Sequence, residues 1–208
     1  MNKLLVTSIV YSIFIIGGLL LFINLSHEDN VNIDQGKEII KKLETSLSQN
    51  DHSEEDDDAG YHYNEEFLKV FQNIDQTLNF FIAVLIEENE ELFTSFFIPQ
   101  RYSDDLWAYS EDPYFDNANY KIMREVNRNG TLMSARYDYN IKDGYKSTRK
   151  DTDVKLIFVY EDGIEVELSI DLVMIGTEHN IKDNIYFIEN SVLELIEEIK
   201  RQTKRKES

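Results

Sequence analysis

Residues 154–174 read VKLIFVYEDGIEVELSIDLVM, and this segment has the clearest secondary-structure pattern of the chain. Residues 154–160 are rich in β-branched and aromatic side chains, which favour strands. Asp162-Gly163 supplies the backbone angles that a hairpin turn requires. Between residues 164 and 174, apolar side chains alternate with mostly polar ones, as in a strand with one buried face. The segment therefore predicts an antiparallel β-hairpin.

Further strands are predicted on both sides of this hairpin. Alternation in residues 133–141 predicts a strand whose buried face consists of Met133, Ala135, Tyr137, Tyr139 and Ile141. Residues 120–126 precede it through Asn127-Arg128-Asn129-Gly130, and because Asn-Gly favours hairpin turns, residues 120–126 are predicted to be its partner strand. Residues 185–188 add a short last strand. The expected sheet is an antiparallel meander of four or five strands.

Helical periodicity accounts for much of the remaining chain. Apolar residues three or four positions apart predict one long helix that starts near Asn64, and they are Phe67, Phe71, Ile74, Leu78, Phe81 and Leu85. Residues 92–98 predict a short helix closed by Pro99, and residues 100–119 an ordered loop with a turn or two of helix. Ser191 and Glu194 form a capping-box pattern that predicts a C-terminal helix. The expected fold class is α+β, with the meander packed on the long helix.

The first 26 residues predict a transmembrane signal anchor. From Leu4 to His27 there is no Asp, Glu, Lys or Arg, and residues 4–25 are apolar enough to cross about 30 Å of hydrocarbon as one helix. Lys3 precedes this run and acidic residues follow it, so the N-terminus is expected in the cytoplasm and the remainder outside. The alternative is a cleaved signal peptide, which needs a shorter apolar region and a small-x-small cleavage site; neither is evident. The expected location is the cell membrane, with a single pass.

Residues 27–60 are predicted to be a stalk helix and an acidic linker, followed by an extracytoplasmic domain over residues 61–208. Ile33, Ile40 and Leu47 recur every seven residues, with Leu43 between them. Two heptads are too short for a coiled coil, so we expect this helix to rest on its own domain. Residues 50–60 contain six carboxylates without calcium-loop spacing, which predicts a solvated spacer.

Composition excludes several functional classes. The chain has 40 acidic and 21 basic residues, a net charge of -19, which disfavours nucleic acid as a partner. It has no cysteine, so disulfides and thiolate chemistry are absent. The four histidines lack zinc-ligand spacing, and no nucleotide-binding or acyl-hydrolase motif occurs. We therefore expect no catalytic residue, metal site or cofactor.

Two segments resemble the NTF2-like, or cystatin-like, superfamily of cone-shaped α+β domains. FFIAVLIEEN at residues 80–89 is similar to the family's first helix and acidic break, and VKLIFVYEDGIEV at residues 154–166 to its central hairpin. The resemblance covers about residues 64–189. Tyr186-Phe187-Ile188 stands where the family often has Trp, a basic residue and an aliphatic one, and the helix after Ser191 is an addition.

The resemblance implies three possible roles outside the membrane. In bacteria, single-pass proteins with such a domain include lipoprotein-like proteins of unknown role and the bitopic assembly component of type IV secretion and conjugation systems. Enzymes of this fold place an acid and a tyrosine in the mouth of the cone. Tyr137 and Tyr139 are the candidates for lining such a ligand pocket, although no Asp or Glu shares their strand face.

The expected function is therefore a non-enzymatic, membrane-anchored domain on a bacterial cell surface that binds a protein or self-associates. Anchoring favours it because a tethered domain has a high local concentration for partners at the membrane. The alternatives are an assembly component of a secretion or conjugation apparatus, which requires a homo-oligomer or stable complex, and a small-ligand or isomerase-like pocket.

Overall fold

The computed structural model describes residues 28–50, 65–141, 151–177 and 180–206. The predicted anchor at residues 1–26, most of the acidic linker and all four histidines lie outside these ranges, as does Asn64. Within the described ranges, no helix combines the length and apolar character needed to cross a membrane.

The described chain is an α+β fold built on one five-stranded antiparallel sheet, as the fold class predicted. Neighbours in the sheet follow chain order, so it is a simple meander. The strands are β1 (Asp29–Asn30), β2 (Leu132–Ile141), β3 (Asp151–Tyr160), β4 (Glu165–Thr177) and β5 (Asn180–Ile188).

The central hairpin, β3 and β4, confirms the prediction made from residues 154–174. Its register pairs Phe158 with Val166 and Val154 with Ile170, and all four side chains are buried. Gly163 has a φ of +76° in the turn, a conformation that glycine adopts without steric cost. The hairpin follows from local sequence because alternation and turn chemistry predict the same structure.

In β2 the predicted buried face is confirmed at two residues and wrong at the first, Tyr139 is partly buried, and the burial of Ile141 lies outside what the structure describes. Ala135 and Tyr137 are buried, but Met133 is exposed and Leu132 is buried instead. The pairing with β3 shifts register between Leu132 and Ser134. Such a bulge turns side chains on one side of it to the opposite face, which explains the error at Met133.

Seven α-helices and a 3₁₀ helix accompany the sheet in the described ranges. They are α1 (Ile33–Asn50), α2 (Glu65–Val70), α3 (Ile74–Ile86), α4 (Glu90–Phe93), the 3₁₀ helix (Thr94–Phe96), α5 (Pro99–Tyr109), α6 (Ala118–Val126) and α7 (Val192–Lys206). Every residue of α3 from Leu78 to Leu85 is buried, so this helix lies within the core.

The long helix predicted over residues 67–85 is wrong in one respect, because the structure divides it into α2 and α3. Asn73 caps α3: its side chain accepts a hydrogen bond from the Gln76 N–H at 2.9 Å. Thr77 Oγ1 donates to the carbonyl oxygens of Val70 and Asn73. These bonds satisfy backbone groups at the break, where an uninterrupted helix would use its own.

Two predictions between residues 100 and 126 are also wrong. Residues 99–109 form the 11-residue helix α5, which is longer than the turn or two of helix predicted within a loop. Pro99 begins this helix instead of closing the one before it, because N–H groups in a first turn have no acceptor within the helix. Residues 120–126 belong to α6 rather than to a strand, because the buried residues Ile122, Met123 and Val126 follow helical spacing. The two-residue strand β1 lies beside β2 instead.

Helix α1 packs against α3, as expected for a helix that rests on its own domain. Ile40 and Leu43 are buried in the shared core. Gly36 lets the two helices approach closely, because a Cβ there would lie 2.5 Å from the Cβ of Ala83 and 2.9 Å from the carbonyl carbon of Asn79. β1 and α1 precede the acidic segment and pack on the sheet and helices that follow it. The domain boundary at residue 60 stays a prediction.

The C-terminal helix α7 confirms the prediction at that end and covers an edge of the sheet. β5 pairs only with residues 172–177 of β4, so the first half of β4 lacks a strand on that side. The side chain of Gln202 takes the place of that strand: its Oε1 accepts a hydrogen bond from the Glu167 N–H at 3.0 Å, and its Nε2 donates to the Glu167 carbonyl. Lys206 donates to the Glu165 carbonyl, and Asn190 accepts from the Asp171 N–H.

Candidate functional site

The two tyrosines predicted to line a pocket lie together on the helix-facing side of β2. The rings of Tyr137 and Tyr139 are stacked, 6.1 Å apart and 12° from parallel. The hydroxyl of Tyr137 donates to Asp75 Oδ1 at 3.0 Å. We call these three residues the tyrosine–carboxylate cluster. The acid comes from the first turn of α3 and not from the strand, which is why the strand pattern missed it.

The cluster holds its tyrosines in the protonated form. Burial raises the pKa of Tyr137, and its hydrogen bond to Asp75 and the charge of that carboxylate raise the pKa further. The pKa of Tyr139 is raised by burial and then by the Asp75 charge. Both hydroxyls are therefore hydrogen-bond donors at neutral pH, and the acceptor of Tyr137 is already present within the protein. Ligand binding at Tyr137 and Tyr139 stays a prediction.

A second feature was not predicted: three large aromatic side chains exposed close together in the chain. Trp107 is 57% exposed, and Tyr114 and Phe115 are each 87% exposed. They are three of the five large hydrophobic residues exposed in the described structure. We call them the aromatic segment. Such residues are often buried, so three exposed aromatic rings within nine positions make this segment a candidate interaction site.

Trp107 is exposed because the opposite face of helix α5 packs against the rest of the protein. Tyr102 is buried with its ring stacked on Phe97, and its hydroxyl donates to Asn119. Three residues further, Asp105 is only 9% exposed and accepts from the Val192 N–H at 2.8 Å. Residues on the other side of the helix, including Trp107, consequently point to solvent.

The loop between α5 and α6 is ordered by its own hydrogen bonds. Asp112 Oδ1 accepts from the Phe115 N–H at 3.2 Å, and the Ala118 N–H donates to the carbonyl of Pro113 at 2.9 Å. Pro113 is buried. The ring of Tyr114 and that of Phe115 therefore project from a fixed backbone, so a partner need not order this loop on binding.

The surroundings of the aromatic segment are acidic. Asp104, Glu111 and Asp112 are exposed beside it. In the part of the chain that the structure describes, none of these carboxylates is in a salt bridge. Apolar rings with a negative rim complement a surface that has apolar pockets and basic residues around them.

Metal chemistry has no support in the described residues, where no group of His, Asp or Glu is arranged to hold an ion. Glu178 and His179, which the sequence places in a turn, lie outside these residues. The sequence could have indicated the aromatic segment through its composition, since Trp107, Tyr114 and Phe115 occur among acids without apolar periodicity. Their exposure, however, depends on how α5 packs.

Comparison with protein-family models, with curated proteins and with solved structures finds no match to this chain.

Proposed function

We propose that this chain is a non-enzymatic, membrane-anchored protein of a bacterial cell surface whose extracytoplasmic domain binds a protein partner through the aromatic segment. The anchor rests on the uncharged apolar run at residues 4–25. The observation that carries the binding role is the exposure of Trp107, Tyr114 and Phe115 on an ordered helix and loop.

Physical chemistry supports binding at this surface over catalysis. Tyr and Trp are enriched among residues that dominate interface energies, because they bury large areas with few rotatable bonds. The acidic rim at Asp104, Glu111 and Asp112 would steer a basic partner towards the rings. A catalytic role would require a nucleophile or base next to a bound substrate, and the carboxylate of the tyrosine–carboxylate cluster already accepts a hydrogen bond from Tyr137.

The test uses the full-length protein in cells with a photo-crosslinking amino acid at position 115. We expect one dominant protein adduct, and we expect its yield to fall when Trp107→Ser and Tyr114→Ser are introduced together. The matched control is Met133→Ser, because Met133 is equally exposed but lies on β2. Equal adducts with the crosslinker at position 133, or no loss in the double variant, would refute binding at the aromatic segment.

The anchor and its orientation have a separate test. Protease added to intact cells, after removal of the wall, should digest the domain that follows residue 28. Protection in intact cells with digestion after lysis would refute the proposed orientation, whatever the crosslinking shows.

A small-ligand pocket is the second candidate, favoured by the contact between Tyr137 and Asp75. It predicts that a bound ligand replaces Asp75 as the acceptor of the Tyr137 hydroxyl. Tyr137→Phe and Tyr139→Phe should then each weaken ligand-induced thermal stabilisation. No stabilisation of the unsubstituted protein by a broad library of small carbonyl compounds and carboxylates would count against this candidate. The assembly-component alternative predicts adducts at multiples of the chain's own mass in the crosslinking experiment.

A further inference from the structure

The first described residues of the chain are hydrogen-bonded to the sheet. Asp29 is paired with Tyr137 and Asn30 with Arg136 in the ladder between β1 and β2. The Val31 N–H then donates to the carbonyl of Ala135 at 2.9 Å. The backbone is therefore fixed at residues 29–31.

Side chains extend this attachment in both directions. Before β1, the carboxylate of Glu28 lies 3.6 Å from Arg136 Nε and 3.4 Å from Lys155 Nζ. After β1, the Asn32 N–H donates to Asn79 Oδ1 at 2.8 Å. Helix α1 then follows, packed on α3. No free segment separates Glu28 from the folded body.

The distance from the predicted anchor to this attachment is short. Only Ser26 and His27 lie between the apolar run, which ends at Leu25, and Glu28. Three residue steps span at most about 10 Å when fully extended. The headgroup region on each side of the hydrocarbon is roughly 5–7 Å thick. Glu28 must therefore lie at or just above the lipid headgroups.

The strand direction shows which end of the sheet faces the lipid. Because β1 runs antiparallel to β2, Glu28 lies on the side of Asp29 that faces the end of β2 at Ile141. The same end contains the start of β3 at Asp151 and the end of β4 at Thr177. The turn at residues 161–163 lies at the other end of β3, about 30 Å away for nine residue steps.

From this geometry we infer that the domain sits directly on the membrane surface, with the end of the sheet at Ile141, Asp151 and Thr177 nearer to the headgroups and the 161–163 turn farthest from them. The bilayer that this end of the sheet faces is the one that holds the chain's own anchor, so the inference rests on the proposed anchoring. The acidic segment at residues 51–60 follows α1 and so cannot act as a spacer between anchor and domain.

The test uses the full-length chain in lipid vesicles, where the absence of native cysteine allows one fluorescent label per variant. Ile175→Cys places the label at the membrane end, and Glu161→Cys places it at the outer turn; both positions are exposed. A short-range quencher on the lipid headgroup should remove most of the fluorescence at position 175 and none at position 161. Equal quenching at the two positions would overturn the inference.

Two controls identify the cause of each result. Vesicle flotation tests the anchor itself, so a chain that does not float refutes the anchoring proposal, whereas a floating chain with equal quenching refutes only the orientation. Inserting twenty Gly and Ser residues between His27 and Glu28 adds a tether of about 25 Å and should abolish quenching at position 175. Unchanged quenching after the insertion would show that attachment of β1 does not set the position.

Discussion

Substituting Gly36 by alanine changes stability in opposite directions depending on whether α1 is a free stalk or part of the core. In an exposed helix, glycine to alanine gains roughly 0.5–1 kcal/mol, because alanine loses less backbone entropy on folding. In this structure the new Cβ would lie 2.5 Å from the Cβ of Ala83 and 2.9 Å from the carbonyl carbon of Asn79. Carbon atoms in contact are normally about 3.5–4.0 Å apart, so α1 would have to move about 1 Å away from α3.

That displacement loosens the contacts that bury Ile40 and Leu43 and strains the hydrogen bonds of Asn79 to Asn32 and Gln35. Overpacking of this kind costs about 1–3 kcal/mol, which exceeds the helix-propensity gain. We therefore expect Gly36→Ala to lower the free energy of unfolding by about 1–2 kcal/mol.

The assay is urea unfolding of residues 28–208 followed by far-ultraviolet circular dichroism. With a slope of about 2 kcal/mol per molar, the midpoint should fall by roughly 0.5–1 M. Lys41→Ala on the exposed face of α1 is the matched control and should change the free energy by less than about 0.5 kcal/mol. A higher midpoint for Gly36→Ala would refute the packing of α1 on α3.

Three further outcomes are expected in the same unfolding assay. Asp105→Ala removes the acceptor of the Val192 N–H at the start of α7 and should lower the free energy of unfolding by about 1–2 kcal/mol. Asp105→Asn retains an acceptor oxygen and should lower it by less. Equal losses of stability in the two variants would contradict the capping role of Asp105. Tyr137→Phe leaves the Asp75 carboxylate without this donor and should cost about 1 kcal/mol, and an unchanged midpoint would argue against the bond. Burial raises the pKa of Tyr137 and Tyr160, so above pH 10 the unfolded chain releases protons that the folded chain keeps. The contribution of these two tyrosines to the free energy of unfolding should consequently be constant below about pH 10. Above pH 10 it should fall by up to about 1.4 kcal/mol per pH unit for each tyrosine. An unfolding midpoint that stays unchanged up to about pH 11 would show that folding does not raise the pKa of these groups.

The parts of the fold that sequence predicted correctly are those specified by neighbouring residues. The β3–β4 hairpin has alternation and Asp162-Gly163 within one segment, and α7 has its apolar face and its basic last turn in fifteen residues. The division between α2 and α3 was also encoded locally, since Asn73 precedes Gln76 in a capping arrangement, but the uninterrupted apolar spacing favoured one helix.

Other features depended on contacts distant in sequence. Asn-Gly at residues 129–130 suggested a hairpin, whereas Asn127 uses its side chain to bond the Leu85 carbonyl and the Gly130 N–H, which ends α6. Asp75 is 62 residues from Tyr137, and no period in either segment relates them. The aromatic segment is exposed because the opposite face of α5 packs against the protein, and composition alone does not predict this packing.

The cover that α7 provides for β4 has a consequence during protein synthesis. Residues 165–171 are synthesised about 35 residues before Lys206, which corresponds to roughly 2–7 s. Until α7 has formed and packed on the sheet, these residues have an open strand edge that a second copy of the chain could join. A chain that ended before α7 would keep this edge open, so we expect such a truncated chain to aggregate more readily than the whole protein.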